Sequence, residues 1–241
     1  MGEVMTAISH VYTAPTTALL AELQAGAAPT PIDGRPGLVA VNHYRVIGLR
    51  GHLPVVYGRS AVVGRLHAVL AALGPGYSLL VYDCFRTRET QRHLFETIYA
   101  QLKAKDPHLT HEELWQRTKN FAAHPDHPSR YGVNPHNSGG AVDLSLAFQG
   151  TPLEMGTAFD EPVAHAGTDF FEQPPTPILG HSEAEWHAIR ANRRLLFNAM
   201  KAVGFVNYAE EWWHYGLGDP LWAAAHGLDW CYDSLESAVT S

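Results

Sequence analysis

The sequence predicts an α+β fold: a single domain in which a small, mostly antiparallel sheet is flanked by helices. Two stretches read as strands, YSLLVYDCF at 77–85 and AVDLSLAF at 141–148. Four segments repeat their apolar residues at helical spacing between recognisable start and stop signals. Near the end, FVNY and WWHYGL read as two short strands joined by a tight turn at Ala209–Glu211.

Each element has its own justification. The first 40 to 55 residues read as a loop-rich extension, with AAPTPIDGRPG its clearest irregular stretch. From Ser60 to Leu73, Val62, Val63, Leu66, Val69, Leu70 and Leu73 form one apolar face, and Gly74–Pro75 stops the helix. YSLLVYDCF is short and rich in Tyr, Val and Leu, which favours a buried strand. A helix from about Arg88 to Lys105 presents Leu94, Phe95, Ile98 and Leu102 and ends before Pro107. Thr110 with Glu113 makes a capping box for a third helix carrying Leu114, Trp115, Thr118 and Phe121. The loop HPDHPSRYGVNPHNSGG is too long for a simple connector, and such loops are frequently functional. In AVDLSLAF, Val142, Leu144 and Leu146 alternate with Ala141, Asp143 and Ser145, so Asp143 falls on the polar face of a half-buried strand. After a second long loop over 147–181, Ser182 and Glu185 cap a helix whose stripe runs Trp186, Ile189, Arg193, Leu196, Phe197, Met200 and Val203. Gly204 ends it.

A length of 241 residues suits one domain with a sizeable core. The net charge of -7 and the lack of any Lys/Arg cluster argue against a nucleic-acid partner. No apolar run approaches the roughly 18 residues of a membrane span, and the N-terminus lacks the basic start of a signal peptide. Cys84 and Cys231 are too few for a disulfide framework. Together these point to a cytoplasmic protein with a small-molecule substrate.

Fifteen histidines raise the expectation of metal chemistry. A catalytic zinc site takes three protein ligands, commonly imidazole and carboxylate, and keeps one position open. His136, Asp143 and His214 are the best triad: His136 enters the strand that presents Asp143, and His214 comes from a neighbouring strand. Glu211 is then free to act as general base. Taken alone, Glu211 fits a solvated turn residue equally well, and Trp212 and Trp213 fit core packing. Asp143 is harder to dismiss, since a carboxylate in an apolar strand is costly to bury without partners.

Four blocks in one order, YDCFRT, PHNSGGAVDLSL, MGTAFD and EEWWHY, resemble the VanX-type D-alanyl-D-alanine dipeptidases, zinc peptidases that share their core with hedgehog signalling domains. The resemblance extends from about Tyr44 to Tyr215. It implies one Zn2+ per chain held by His136, Asp143 and His214, with Glu211 as the catalytic base. Arg86 matches the arginine that stabilises the transition state, and Asp83 the carboxylate that supports it. Asp160 matches the acid that holds the free amino group of the dipeptide. Tyr44, ten residues before Pro54, falls where the family has a substrate-side tyrosine.

The pattern departs from the family at three places. Thr87 replaces a proline after the arginine and suits a helix N-cap. Asn134 stands where a substrate-binding serine is usual, two residues before His136. RVIGLRGH after Tyr44 lacks the family's Asn-Phe pattern. These changes lie on the substrate side, so a related peptidase or amidase acting on another small D-amino-acid-containing amide is the alternative to D-Ala-D-Ala hydrolysis. Two further readings are weaker: a non-haem iron oxygenase, whose triad is more tightly spaced than His136 and Asp143, and a zinc-stabilised binding module.

Overall fold

The computed structural model describes residues 6–126 and 129–240. The helices are α1 (Thr17–Ala25), α2 (His43–Val46), α3 (Ser60–Leu73), α4 (Arg88–Lys105), α5 (His111–Lys119), α6 (Glu183–Ala202), α7 (Pro220–Ala225) and α8 (Glu236–Thr240). The strands are β1 (Pro29–Pro31), β2 (Leu38–Ala40), β3 (Tyr57–Arg59), β4 (Tyr77–Asp83), β5 (Ala141–Phe148), β6 (Thr151–Pro152), β7 (Val206–Asn207) and β8 (His214–Gly216). The fold is α+β, as expected. Its main sheet runs β2-β4-β5-β8-β7 with β6 paired to β5, and every pairing is antiparallel except β2 with β4. A two-stranded ribbon, β1 with β3, sits apart from it.

Helices α4, α5 and α6 coincide with the apolar periodicities, and their N-termini are fixed by local chemistry. Thr87 Oγ1 accepts from Thr90 N, so the residue that replaces proline is the N-cap of α4. Thr110 and Ser182 form complete capping boxes with Glu113 and Glu185. Leu66 and Val69 of α3, with Leu196, Phe197 and Met200 of α6, pack into the core with Leu79, Val81, Leu144 and Leu146 of the sheet.

The structure corrects several expectations. The N-terminal stretch holds α1, whose Leu23 is fully buried, and two short strands. Thr16 caps α1 by accepting from Leu19 N, a weak signal in a nine-residue segment between irregular stretches. β5 is buried on both faces except at Phe148, because loops cover its polar side and Asp143 finds partners there. The turn between β7 and β8 is wider than Ala209–Glu211: Tyr208 N donates to His214 O, so Trp212 and Trp213 precede the strand. Phe121 lies beyond the end of α5 and is exposed. Residues 127–128 of the long His/Pro/Gly loop lie outside the described residues.

Asp143 pairs with Asp83 on one side and His214 on the other, across three adjacent strands. A register shift between Val81 and Asp83 brings Asp83 opposite Asp143.

Candidate active site

At that crossing, donor atoms of His136, Asp143 and His214 lie within 4.8 Å of one another, and all three residues are buried. His136 Nε2 is 3.2 Å from Asp143 Oδ2 and 3.1 Å from His214 Nδ1; His214 Nδ1 is 2.9 Å from Asp143 Oδ1. The other nitrogen of His136, Nδ1, lies 2.8 Å from the Cys84 carbonyl, which can only accept. That contact protonates Nδ1 and leaves the Nε2 lone pair facing the cluster. Two imidazole nitrogens and a carboxylate oxygen are the donor set of a catalytic zinc site, so the residues fit the ion. Burial disfavours charge on both Asp143 and His214, but His136 and then His214 hold Asp143 well below the usual carboxylate range, and the hydrogen bond and charge of Asp143 raise His214 to about 9.

Arg86 lies beside the cluster. Its Nε donates to Asp83 Oδ2 at 2.8 Å, Nη1 to Gln91 Oε1 at 2.9 Å and Nη2 to Tyr44 Oη at 3.0 Å, with Asp143 Oδ2 at 3.4 Å from Nη2. Burial alone would favour a neutral guanidinium, but Tyr44, Asp83 and Asp143 raise its pKa instead. Tyr44 Oη reaches Asp160 Oδ2 at 3.4 Å, which links Arg86 to the MGTAFD loop. Asp160 has φ 61, in the left-handed region.

A cavity of about 430 Å³ opens over this arrangement. Tyr44, Arg86, Asn134, Asp160 and Glu211 line it together with the three buried donors. Asp83 supports Arg86 from outside the lining and lies 3.3 Å from His136 Nδ1. Burial pushes the Glu211 carboxyl up to about 7 and that of Asp160 up to about 6. Asn134 is buried, and its Nδ2 donates to His124 O at 3.3 Å. The structure therefore brings every residue singled out from the sequence to one place. Trp213 also lines the cavity, while buried Trp212 donates to Thr157 Oγ1.

Sequence reasoning missed Gln91. It accepts from Arg86 and donates to Ala123 O, tying the guanidinium to the wall of the cavity. Its place one turn into α4, behind the Thr87 cap, was the only available signal.

A mixed sheet that brings two imidazoles and a carboxylate together beside a desolvated glutamate and a buried arginine defines a metal-dependent hydrolase. The family model of D-ala-D-ala dipeptidases, Peptidase_M15, matches residues 58–230. A D-alanyl-D-alanine dipeptidase of Synechocystis sp. is 29% identical over 209 residues, 81% of this chain and 83% of the relative. One of Streptomyces coelicolor is 30% identical over 178 residues, 67% and 76% of the two chains. The crystal structure of a vancomycin-resistance D,D-pentapeptidase, VanY, in complex with Zn(II) aligns with a TM-score of 0.42 at 19% identity, covering 77% of this chain and 85% of that one. The chain belongs to the Peptidase_M15 D-ala-D-ala dipeptidase family. It is a zinc metallopeptidase.

Proposed function

We propose that the protein is a dipeptidase that hydrolyses D-alanyl-D-alanine to two D-alanines, with one zinc per chain held by His136, Asp143 and His214. The observation that carries this reading is the convergence of those three donors with Glu211, Arg86 and Asp160 on one cavity. A zinc ion held by these residues would supply a Lewis acid that lowers the pKa of water towards about 7 and polarises an amide carbonyl.

The protein groups do the rest. Glu211, with a carboxyl near neutrality, accepts a proton from the attacking water and delivers it to the leaving amine. The C–N bond breaks, a C–O bond forms, and the proton moves from water to nitrogen. Arg86 has five N–H donors, of which Asp83, Gln91 and Tyr44 engage three at close range. The contact to Asp143 is long, which leaves capacity for the oxyanion that develops on the carbonyl. Asp160, ionised at neutral pH, pairs with the substrate ammonium, and Tyr44 Oη spans Arg86 and Asp160 so that the two ends of the substrate are held in fixed relation. Asn134 offers a polar contact from the cavity wall.

We place the enzyme in the cytoplasm, acting in cell-wall turnover or glycopeptide resistance. No helix among the described residues is long and apolar enough to cross a membrane. The residues 1–241 are read as one zinc dipeptidase domain. A second substrate, a related amide with a bulkier residue, is favoured by two observations. The cavity, at about 430 Å³, lies within the range of roughly 300–1,000 Å³ that takes ligands larger than two alanines, and Asn134 replaces the family serine. An oxygenase reading has no use for Glu211 and no support from the family.

The test is a product assay on zinc-loaded protein with D-Ala-D-Ala and a panel of other dipeptides, with and without chelator. Release of D-alanine that chelation abolishes supports the proposal; no amino acid from any member of the panel overturns it.

A further inference from the structure

Asn207 closes β7 and is 4% exposed, and it lies in none of the blocks that resemble the family. Its side-chain Nδ2 donates to Glu211 O and to His214 O, both at 3.0 Å. Those carbonyls accept only, so the amide orientation is fixed, and Oδ1 correspondingly accepts from Thr168 Oγ1 at 2.7 Å. Its main-chain N donates to Tyr12 Oη at 3.0 Å. One buried amide thus holds both ends of the loop from Glu211 to His214. Two neighbouring contacts brace the same loop from outside: Thr168 N donates to Ala209 O and Trp212 N to Ala166 O.

We infer that Asn207 is a positioning residue that sets the separation of Glu211 from His214, and that Tyr12, in the N-terminal strap ahead of the family-matched residues, buttresses it. The inference rests on the proposed roles of Glu211 and His214. A proton acceptor and a metal ligand three residues apart on a turn hold their geometry only if the turn is fixed, since misplacement by about 1 Å is enough to cost on the order of a hundredfold in rate. The strand pairing stops at Asn207 and resumes at His214; between them Glu211 N donates to Tyr208 O, His214 N to Glu211 O at 3.3 Å, and Leu144 N of β5 to Trp213 O. To these main-chain ties Asn207 adds the side-chain clamp, from beneath, on the carbonyls of the two residues whose side chains line the cavity. The strap is itself held to α6, with Asn198 Nδ2 donating to Thr6 O and Lys201 Nζ to Ser9 O.

The test compares wild type with Asn207→Asp, which keeps the shape but removes both donors, and with Tyr12→Phe. Four quantities are read: kcat and KM on D-Ala-D-Ala, zinc Kd by chelator competition, and Tm. For Asn207→Asp the expected result is a loss of roughly 10–100-fold in zinc affinity and in kcat, with KM little changed. Tyr12→Phe is expected to move the same quantities the same way by less. A fall in Tm alone, with kcat and zinc Kd of both variants within about twofold of wild type, overturns the inference. If Asn207→Asp does not fold, Tyr12→Phe and Thr168→Val, which removes the donor to Oδ1, decide the matter by the same readouts. An inactive wild type would sink the proposed substrate, while the zinc measurement would still decide the role of Asn207.

Discussion

At the scale of the residue, the separation of protonation behaviour inside one cavity governs what the site does. Glu211, raised to about 7 by burial, accepts protons only above that pH. kcat/KM is therefore expected to fall as pH drops below about 7, and a pH–rate profile of the zinc enzyme checks it. Glu211→Gln keeps the shape and the cavity but cannot take a proton, so kcat should fall by roughly 10²–10⁴ with zinc content unchanged by metal analysis. Arg86→Lys replaces a planar fork by a point charge and abandons the ties to Asp83, Gln91 and Tyr44. A loss of about a hundredfold or more in kcat is expected. Most of the candidate site residues that the fold gathers at the cavity were legible because they fall in four sequence blocks in a fixed order, with Tyr44 and Asn134 outside them. Gln91 and Asn207 were not, because their work is done by hydrogen bonds to groups whose proximity only the fold creates.

At the scale of the element, the helices announced themselves through their ends. Thr87, Thr110 and Ser182 accept from the amides their positions predict. Replacing Ser182 by alanine removes one capping box and should cost about 1 kcal/mol in urea unfolding, within a range of about 0.5–2, without change in kcat. The strands were less legible. β2 and β7 are two or three residues long and depend on their neighbours rather than on their own composition, and the two-sided burial of β5 followed from loops that alternation cannot foresee. α6 carries a buried cation in its apolar stripe. Arg193 donates to the carbonyls of Met155, His165 and Gly167 at 2.6–2.8 Å, with no carboxylate among those partners, and burial lowers its pKa to about 9. It thereby binds the segment that carries Asp160 onto the helix. Arg193→Ala takes the donor from Met155 O and His165 O at roughly 1–3 kcal/mol each, while Gly167 O keeps Phe170 N. A loss of at least about 2 kcal/mol of stability by denaturant unfolding is expected, with KM raised in the fraction that folds.

At the scale of the whole molecule, metal and proton compete for the same fold. In metal-free protein, the His214 pKa of about 9 exceeds its unfolded value of 6.5 because the hydrogen bond and charge of Asp143 outweigh desolvation. The resulting stabilisation is complete below pH 6.5 and lost as pH rises through about 9. The Tm of chelator-treated protein should therefore fall between those limits. Zinc requires the neutral imidazole, so its binding strengthens over the same interval, and its contribution should reach about 2.7 kcal/mol at a concentration of a hundred times Kd. Thermal melts with and without zinc across pH 6.5–9 test both signs together.

The left-handed backbone at Asp160 also limits how this enzyme can change. A residue at φ 61 strains most side chains, and only glycine, asparagine and aspartate visit that region routinely. Variation at this point of the cavity wall is therefore steered towards a narrow set of residues, of which asparagine keeps a polar oxygen and glycine keeps none. On the proposed pairing of Asp160 with the substrate ammonium, a shift to a neutral substrate terminus would pass most easily through Asp160→Asn, whereas glutamate, chemically the nearest acid, meets a backbone cost of about 1–2 kcal/mol, one that the chain accepts at Gln149 with φ 50.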